Sequence, residues 1–530
     1  MAESTTYATE NLRTVALVGH GAAGKTTLAE QLLAKSGMIG APGSVERGTT
    51  VSDYDPQEKA ALHSLRSSIL HCDYNGVRIH LIDTPGYPDF IGQSIGALDA
   101  VETAAVVVSA TGGIELVTRR MMDWAKSRNL CRMIIVNKID HEHIDLPALL
   151  ERLREAFGPE VLPINLPAGG GSRVIDCFDH DTGEADFLSV AEVHRQVMEQ
   201  IVEVDDAAME KYLEEGAIDP STLHAPLEKA LREGHIIPVC FVSARTGAGV
   251  QDLLDVMVRH LPHPGEGNPP LFYRGEGEAA REFRSEPDPK KHVLAHVFKV
   301  EIDPFIGKLG VFRIHQGTVT PNTQLYVGEA RKPFKVSHLY RLLGKTHIEV
   351  SEGLPGDICA VAKIEELHFD AVLHDSHDED HYHLKSIAFP PPMLGVAIEP
   401  RTKADQDKMD MALRRLADEE DVHLILTTGG TGPAPRDHTP EATKAVIERE
   451  MPGLAELLRQ DGQRRTPWAV LSRGVAGIRG RTLIINLPGN PRAVREGLEV
   501  LAPLLPPTVS LMRGGPFRPD MTAAECCEEA

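Results

Sequence analysis

Residues 19–26 read Gly19-His20-Gly21-Ala22-Ala23-Gly24-Lys25-Thr26, and the segments on either side decide how that loop is used. Before it, residues 14–18 (TVALV) form a β-rich apolar run; after it, Leu28, Leu32 and Leu33 recur at helical spacing. A strand entering a glycine-rich loop that opens a helix lets backbone amides converge on phosphates. Lys25 then reaches the β and γ oxygens, and the Thr26 hydroxyl ligates Mg²⁺. Glycine permits this close backbone approach because it has no Cβ.

Three further segments repeat the pattern of strand followed by functional loop. Residues 77–82 lead into Asp83-Thr84-Pro85-Gly86-Tyr87, which places a carboxylate where it can hold Mg²⁺ through water and lets the Gly86 amide sense a γ-phosphate. Taken alone, Asp-Thr-Pro-Gly is more often a plain turn. Residues 133–136 lead into Asn137-Lys138-Ile139-Asp140, whose carboxylate can accept two hydrogen bonds from guanine N1 and N2, a pattern adenine does not offer. Residues 239–242 lead into Ser243-Ala244, which supports the same base through a backbone amide. Four such elements in this order point to a phosphate-loop GTPase with GTP or GDP and Mg²⁺ as ligands, its site at the strand ends of an open α/β sheet.

The chain has 530 residues, enough for three or four domains, and its 42% apolar and 25% charged composition is that of a globular protein. A formal charge of −22 repels free nucleic acid and anionic membrane, so neither direct DNA binding nor membrane binding is expected, and RNA contact would need a local basic patch. Seven cysteines lack ligand spacing, apart from the adjacent Cys526 and Cys527, and read as reduced thiols. The start, Met-Ala-Glu-Ser-Thr-Thr, has neither the basic residues nor the apolar stretch of a signal peptide, and a cytoplasmic location is expected.

Asp140 and Ser243 lie 103 positions apart, which implies an inserted subdomain over residues 141–235. This spacing, with residues 48–54 (GTTVSDY), 207–213 (AAMEKYL) and 261–264 (LPHP), resembles the G domain of elongation factor G, and more narrowly the elongation factor G-like branch. The resemblance runs from about residue 10 to 415. Two positions depart from the family. Its first switch reads Arg-Gly-Ile-Thr with the threonine on Mg²⁺, where this chain has Ala61-Leu62-His63-Ser64; Ser64 keeps a hydroxyl and stands with Thr26 as a metal ligand. The family's Asp-Thr-Pro-Gly-His supplies a histidine that orients the attacking water, where this chain has Tyr87. The resemblance thus implies catalytic roles for Lys25 and position 87, with weak intrinsic hydrolysis, unless Tyr87 merely packs over the loop.

A polar, Pro- and Gly-rich linker is expected over residues 264–289, then a small β-barrel over 290–372. Residues 298–319 (FKVEIDPFIGKLGVFRIHQGTV) resemble the start of domain two of translational GTPases, which implies docking on a large partner, the ribosome. The histidine-rich residues 374–383 (HDSHDEDHYH) read as a solvated linker and receive no metal site.

Residues 391–409 resemble the opening strand and helix of domain three of elongation factor G, but the chain beyond them does not continue that domain. Leu424-Ile425-Leu426-Thr427-Thr428-Gly429-Gly430-Thr431-Gly432, Asp437, Leu471-Ser472-Arg473-Gly474 and Asn486-Leu487-Pro488-Gly489-Asn490-Pro491 resemble the molybdopterin adenylyltransferases, over about residues 412–507. The resemblance implies that Thr428, Gly429, Gly430, Thr431 and Gly432 contact molybdopterin, that Asp437 is the catalytic acid, and that oligomers form through this module. The bland alternative for 427–432 is a tight turn between strand and helix. The family's first strand, loop and helix have no counterpart in residues 1–390, so the two resemblances meet inside residues 411–420 (MALRRLADEE). Either residues 394–399 with that helix replace the lost strand and crossover, or the gene is a recombined chimera; the latter, favoured on these grounds, predicts poor cofactor chemistry.

The expected fold is therefore α/β: a P-loop GTPase domain with an inserted subdomain (10–264), a β-barrel domain (290–372), a junction (390–420), a partial α/β molybdopterin-binding-like domain (421–507) and a tail (508–530).

Overall fold

In the computed structural model, residues 6–215, 222–268, 270–275, 280–303, 306–385, 403–418, 422–435, 437–515 and 518 are described. The chain divides into two units, residues 1–391 and 392–530.

The first unit is organised by apolar runs that bury both faces. β1 (Leu12–Val18), β2 (Ser68–Tyr74), β3 (Val77–Asp83), β4 (Thr103–Ser109), β5 (Cys131–Asn137), β6 (Val161–Pro163) and, after the hairpin β7 (Asn165–Ala168) and β8 (Arg173–Asp176), β9 (Ile237–Val242) are its strands. Seven of them form one sheet in the order β2-β3-β1-β4-β5-β9-β6. All neighbours are parallel except the antiparallel edge pair β2/β3. Continuous burial of β1, β3, β4 and β9 is what a parallel sheet covered by helices on both faces requires. The insert supplies β6 to the sheet, and Val193, Val197, Met198 and Ile201 of its helix Val190–Val202 join the core beneath β1 and β5. It is an extension of the G domain's own core.

β10 (Phe272–Arg274) and β11 (Arg281–Phe283) open the next region. The strands β12 (Leu294–Asp303), β13 (Gly307–Gln316), β14 (Gln324–Val327), β15 (Phe334–Lys335), β16 (Leu339–Leu343), β17 (Thr346–Val350), β18 (Ile358–Ala362) and β19 (Val372–His374) come after them, then β20 (Tyr382–Leu384). β12 to β19 make an eight-stranded sheet, a half-barrel around Phe312, Ile314, Leu325 and Leu373. Two expectations are corrected here. Residues 264–289 are not a plain polar linker, because β10 pairs with both β11 and β20 in a small sheet with Phe272 buried at its centre, and the histidine-rich stretch is solvated at His377, His381 and His383 but buried at His374 and Tyr382. His374 is buried at the end of β19, its two ring nitrogens bonded to the carbonyls of Ser376 and Gly328.

In the second unit, β21 (Leu424–Thr428), β22 (Arg449–Glu450), β23 (Ala476–Arg479) and β24 (Thr482–Leu487) form a sheet in the order β21-β24-β23-β22. β21 and β24 are parallel; the other pairs are antiparallel. The helix Lys403–Asp418 packs on this sheet, with Leu413 and Ala417 against Ile425 and Ile484. The strand expected over residues 394–399 and the Cys526–Cys527 pair lie outside the described residues. Among the described residues no helix is long and apolar enough to cross a membrane.

Candidate functional site

All four sequence-predicted loops gather at the carboxyl ends of β1, β3, β5 and β9, where an open α/β sheet places its ligands. Gly24, with φ +91°, caps the helix α1 (Lys25–Lys35) in the left-handed region, and the shape of the phosphate loop depends on that turn. Lys25 Nζ donates to the carbonyl oxygens of Gly19 at 2.9 Å and His20 at 2.8 Å, which fixes the ammonium against the loop.

A second group assembles where α1 begins. Thr26 Oγ1 donates to Asp83 Oδ2 at 2.7 Å and lies 3.1 Å from Ser64 Oγ. Asp53 lies beside them, with the Ser64 hydroxyl and the Lys25 ammonium acting on its carboxyl. Asp53 Oδ2 and Asp83 Oδ1 are buried without a hydrogen-bond partner. Burial pushes both carboxylates up, Asp83 further because of the neighbouring Asp53 charge; burial also pushes Lys25 down. Two hydroxyls and two unsatisfied carboxylate oxygens are a donor set suited to a hard cation, so these residues fit Mg²⁺. Sequence reading assigned Thr26, Ser64 and Asp83 here but missed Asp53, which stood in the 48–54 stretch without a role.

The loop that delivers Asp53 and Ser64 is held by two buried glutamates. Glu30 of α1 accepts from the amides of Gly43 (2.8 Å) and Val51 (2.6 Å). Glu58 closes a capping box with Asp55 on the helix Pro56–Ala61 and accepts from the amides of Leu65 (3.0 Å) and Arg66 (3.1 Å). The result is a cavity of about 310 Å³ lined by Gly21, Gly24, Lys25, Thr26, Asp53, His63, Ser64, Thr84, Gly86, Tyr87 and Lys138 among others. Tyr87 lays its ring directly over Gly21.

The base-facing side is built around Asn137. Its Oδ1 accepts from the amides of Lys138 (2.8 Å) and Ala244 (2.9 Å), while Nδ2 donates to the Ala23 carbonyl (3.0 Å), so one side chain ties three loops together. Lys138 Nζ donates to the Ala22 carbonyl at 2.8 Å. Asp140 Oδ1 accepts from Ser243 Oγ at 2.6 Å, and Arg245 faces Oδ2. Burial pushes Asp140 up, but the Ser243 hydroxyl and the Arg245 charge outweigh it and hold the carboxyl below its ordinary range.

In the second unit a cavity of about 380 Å³ is lined by Thr431, Gly432, Trp468, Ser472, Asn486 and Asn490 among others. Thr428, Gly429 and Gly430 do not line it; they carry the chain out of β21, with the Gly429 amide bonded to the Leu487 carbonyl at 3.1 Å. Asp437 does not line it either. Its Oδ2 accepts from the Ala434 amide at 3.0 Å and closes the turn before the helix Thr439–Val446, braced by Arg473, whose Nε donates to the Gly432 carbonyl at 2.8 Å.

Residues 10–263 match the elongation factor Tu GTP binding domain, residues 292–375 match elongation factor G domain 2, and residues 376–507 match the probable molybdopterin binding domain. Residues 10–263 thus match a GTP-binding domain of the translation-factor class. More particularly, the chain is similar to elongation factor G-like proteins up to its junction and then matches a probable molybdopterin binding domain. It is 32% identical over 440 residues to an elongation factor G-like protein of Mycobacterium tuberculosis, covering 77% of this chain and 61% of the relative. It is 31% identical over 444 residues to elongation factor G of Thermotoga maritima, covering 80% and 63%. A crystal structure of a Thermus thermophilus protein superposes with a TM-score of 0.63 at 34% identity, covering 77% of this chain and 61% of that one. The chain therefore spans less than two thirds of the length of these relatives.

Proposed function

We propose that the chain binds GTP and GDP with Mg²⁺ and acts as a slow, elongation factor G-like GTPase whose partner is the ribosome and whose place is the cytoplasm. The observation that carries this reading is Asn137, which locks the phosphate loop, the Asp140 loop and the Ser243–Ala244 loop into one frame. A pre-oriented carboxylate at position 140 accepts from guanine N1 and N2, and Ala244 offers the amide beside it. Thr26, Ser64, Asp53 and Asp83 would hold Mg²⁺, which neutralises phosphate charge when bound. Lys25 cradles the β and γ oxygens.

Nucleotide titration tests the reading. The wild-type chain should bind fluorescent GTP and GDP and reject ATP. Asp140→Asn should weaken GTP by about 10²-fold or more, because two hydrogen bonds lose their charged acceptor, and should shift preference toward xanthine nucleotides. Equal affinity for ATP and GTP would refute the base assignment. Co-sedimentation with ribosomes in a non-hydrolysable GTP analogue tests the partner.

For the second unit we infer a binding module for a pterin or a nucleotide, with molybdopterin as the ligand its domain match suggests. Adenylyl transfer is the weaker reading, because the Asp437 carboxylate closes its own turn and stands outside the cavity. ATP turnover with molybdopterin by the full chain would reverse that preference.

A further inference from the structure

His63 lies in the segment that departs from the elongation factor pattern, and the structure brings it into the phosphate cavity. Its ring packs on Tyr87 with centroids 4.6 Å apart and faces Phe90 at 6.1 Å, so two aromatic side chains of the Asp83–Phe90 segment hold it from one side. On the other side its Nδ1 lies 3.2 Å from the Ser64 carbonyl oxygen. A carbonyl only accepts, so in the neutral ring Nδ1 carries the proton and Nε2 keeps a free lone pair. His63 is the only imidazole among the described residues lining this cavity; His20 is paired with Glu115 at 3.2 Å and does not line it. Asp53 lines the same cavity as His63.

We propose that His63 is the catalytic residue that orients the attacking water in GTP hydrolysis, and that Tyr87 is a positioning residue that holds the His63 ring. This rests on the GTPase reading above and deepens it. The water donates one hydrogen bond to His63 Nε2 and presents its oxygen to the γ-phosphorus. The new O–P bond forms as the bridging β–γ P–O bond breaks, the electron pair leaves with GDP, and the water proton ends on inorganic phosphate. His63 directs the water and retains no proton. Tyr87 acts through its ring face, so its hydroxyl is dispensable.

The test uses the full chain, with GTP affinity from fluorescent-analogue titration and turnover from phosphate release. His63→Gln and His63→Ala should lower kcat by about 10- to 100-fold, the equivalent of about 1.4–2.7 kcal/mol of lost positioning at about 1.36 kcal/mol per tenfold, and leave the GTP dissociation constant within about 3-fold. Tyr87→Phe should keep kcat, Tyr87→Ala should lose it, and added imidazole should restore turnover to His63→Gly. Unchanged affinity in these variants shows that the site is folded. Wild-type kcat in His63→Ala, or no rescue of His63→Gly by imidazole, overturns the proposal while GTP binding stands. A wild-type chain that binds GTP and hydrolyses none also overturns it. A wild-type chain that binds no GTP overturns the GTPase reading and this proposal with it.

Discussion

Arg313 of β13 is buried in the half-barrel domain, 2% exposed, and its Nη2 lies 2.6 Å from Glu102 Oε1 at the foot of β4. Thr14 of β1 also donates to the Glu102 carboxylate, so the pair bolts the second domain to the two central strands of the G domain. Arg313 Nε and Nη1 are buried without a hydrogen-bond partner, so the guanidinium is only partly compensated. Replacing Arg313 with Ala strands the Glu102 charge in the interior, which should cost about 3–5 kcal/mol. Replacing both members by apolar residues of similar volume, Arg313→Met with Glu102→Leu, removes both desolvation penalties. The Thr14 hydroxyl keeps its bond from the residue 102 amide, and the double variant should return to within about 1 kcal/mol of wild type. Urea unfolding followed by tryptophan fluorescence in a Trp468→Phe background reads Trp124 of the G domain alone, because the chain has two tryptophans. A single-variant cost under about 1 kcal/mol, or a double variant as unstable as the single, would refute the claim that an uncompensated charge dominates here.

Two further outcomes concern buried histidines and a glycine. Burial lowers His80 and His260 to about 4 and His71 and His296 to about 3. A group whose folded value lies below its unfolded one, about 6.5, binds its proton first in the unfolded chain, so the stability present above pH 6.5 is lost as pH falls toward 4. For one histidine lowered to about 4 the loss is on the order of 3 kcal/mol, and a urea midpoint that stays constant or rises between pH 7 and pH 5 would contradict it. At Gly86 an added Cβ would sit 2.6 Å from the Gly21 amide nitrogen and from the His20 carbonyl carbon, atoms of a loop that cannot yield without moving the phosphate cradle. Gly86→Ala should therefore weaken GTP by roughly 5- to 100-fold, the equivalent of about 1–3 kcal/mol of overpacking. Isothermal titration beside an unchanged thermal midpoint checks that the effect is local.

The nucleotide frame was legible because each of its parts carries local chemistry: an apolar run that ends in glycine, proline, aspartate or asparagine. Asp53 and His63 were not legible as site residues, since their roles arise only when the loop between them folds back on Thr26 and Asp83. That return depends on Glu30 and Glu58, whose side chains bind backbone amides up to 21 positions away and leave no periodic trace. The small sheet escaped for another reason. Three-residue strands are too short to show alternation, and Phe272 pairs with Leu384 more than a hundred positions later. His374 looked solvated by composition, yet two carbonyls and the Tyr326 ring, 5.6 Å away between centroids, complete its surroundings.

The helix Lys403–Asp418 bears on how two unrelated resemblances share one chain. Its sequence suits either family, and the apolar spacing of Met409, Leu413 and Ala417 decides where it packs: one stripe at four-residue intervals meets Ile425, Val446 and Ile484. Asp418 at its end pairs with Arg479 of β23, so the last turn is tied to the same sheet. The helix therefore contributes Leu413 and Ala417 to the core of the second unit. β21, the strand after it, pairs only with β24 among the described residues and is half-buried along most of its length. An edge at that place supports a cavity walled by Thr431, Ser472 and Asn486, because Asn486 Nδ2 bonds both Thr427 and Thr443 at 2.8 Å and holds β24 to its neighbours without help from a further strand. Ligand binding can persist on such a frame. A carboxylate delivered into the cavity cannot, since Asp437 is fixed in the turn by the Ala434 amide and by Arg473.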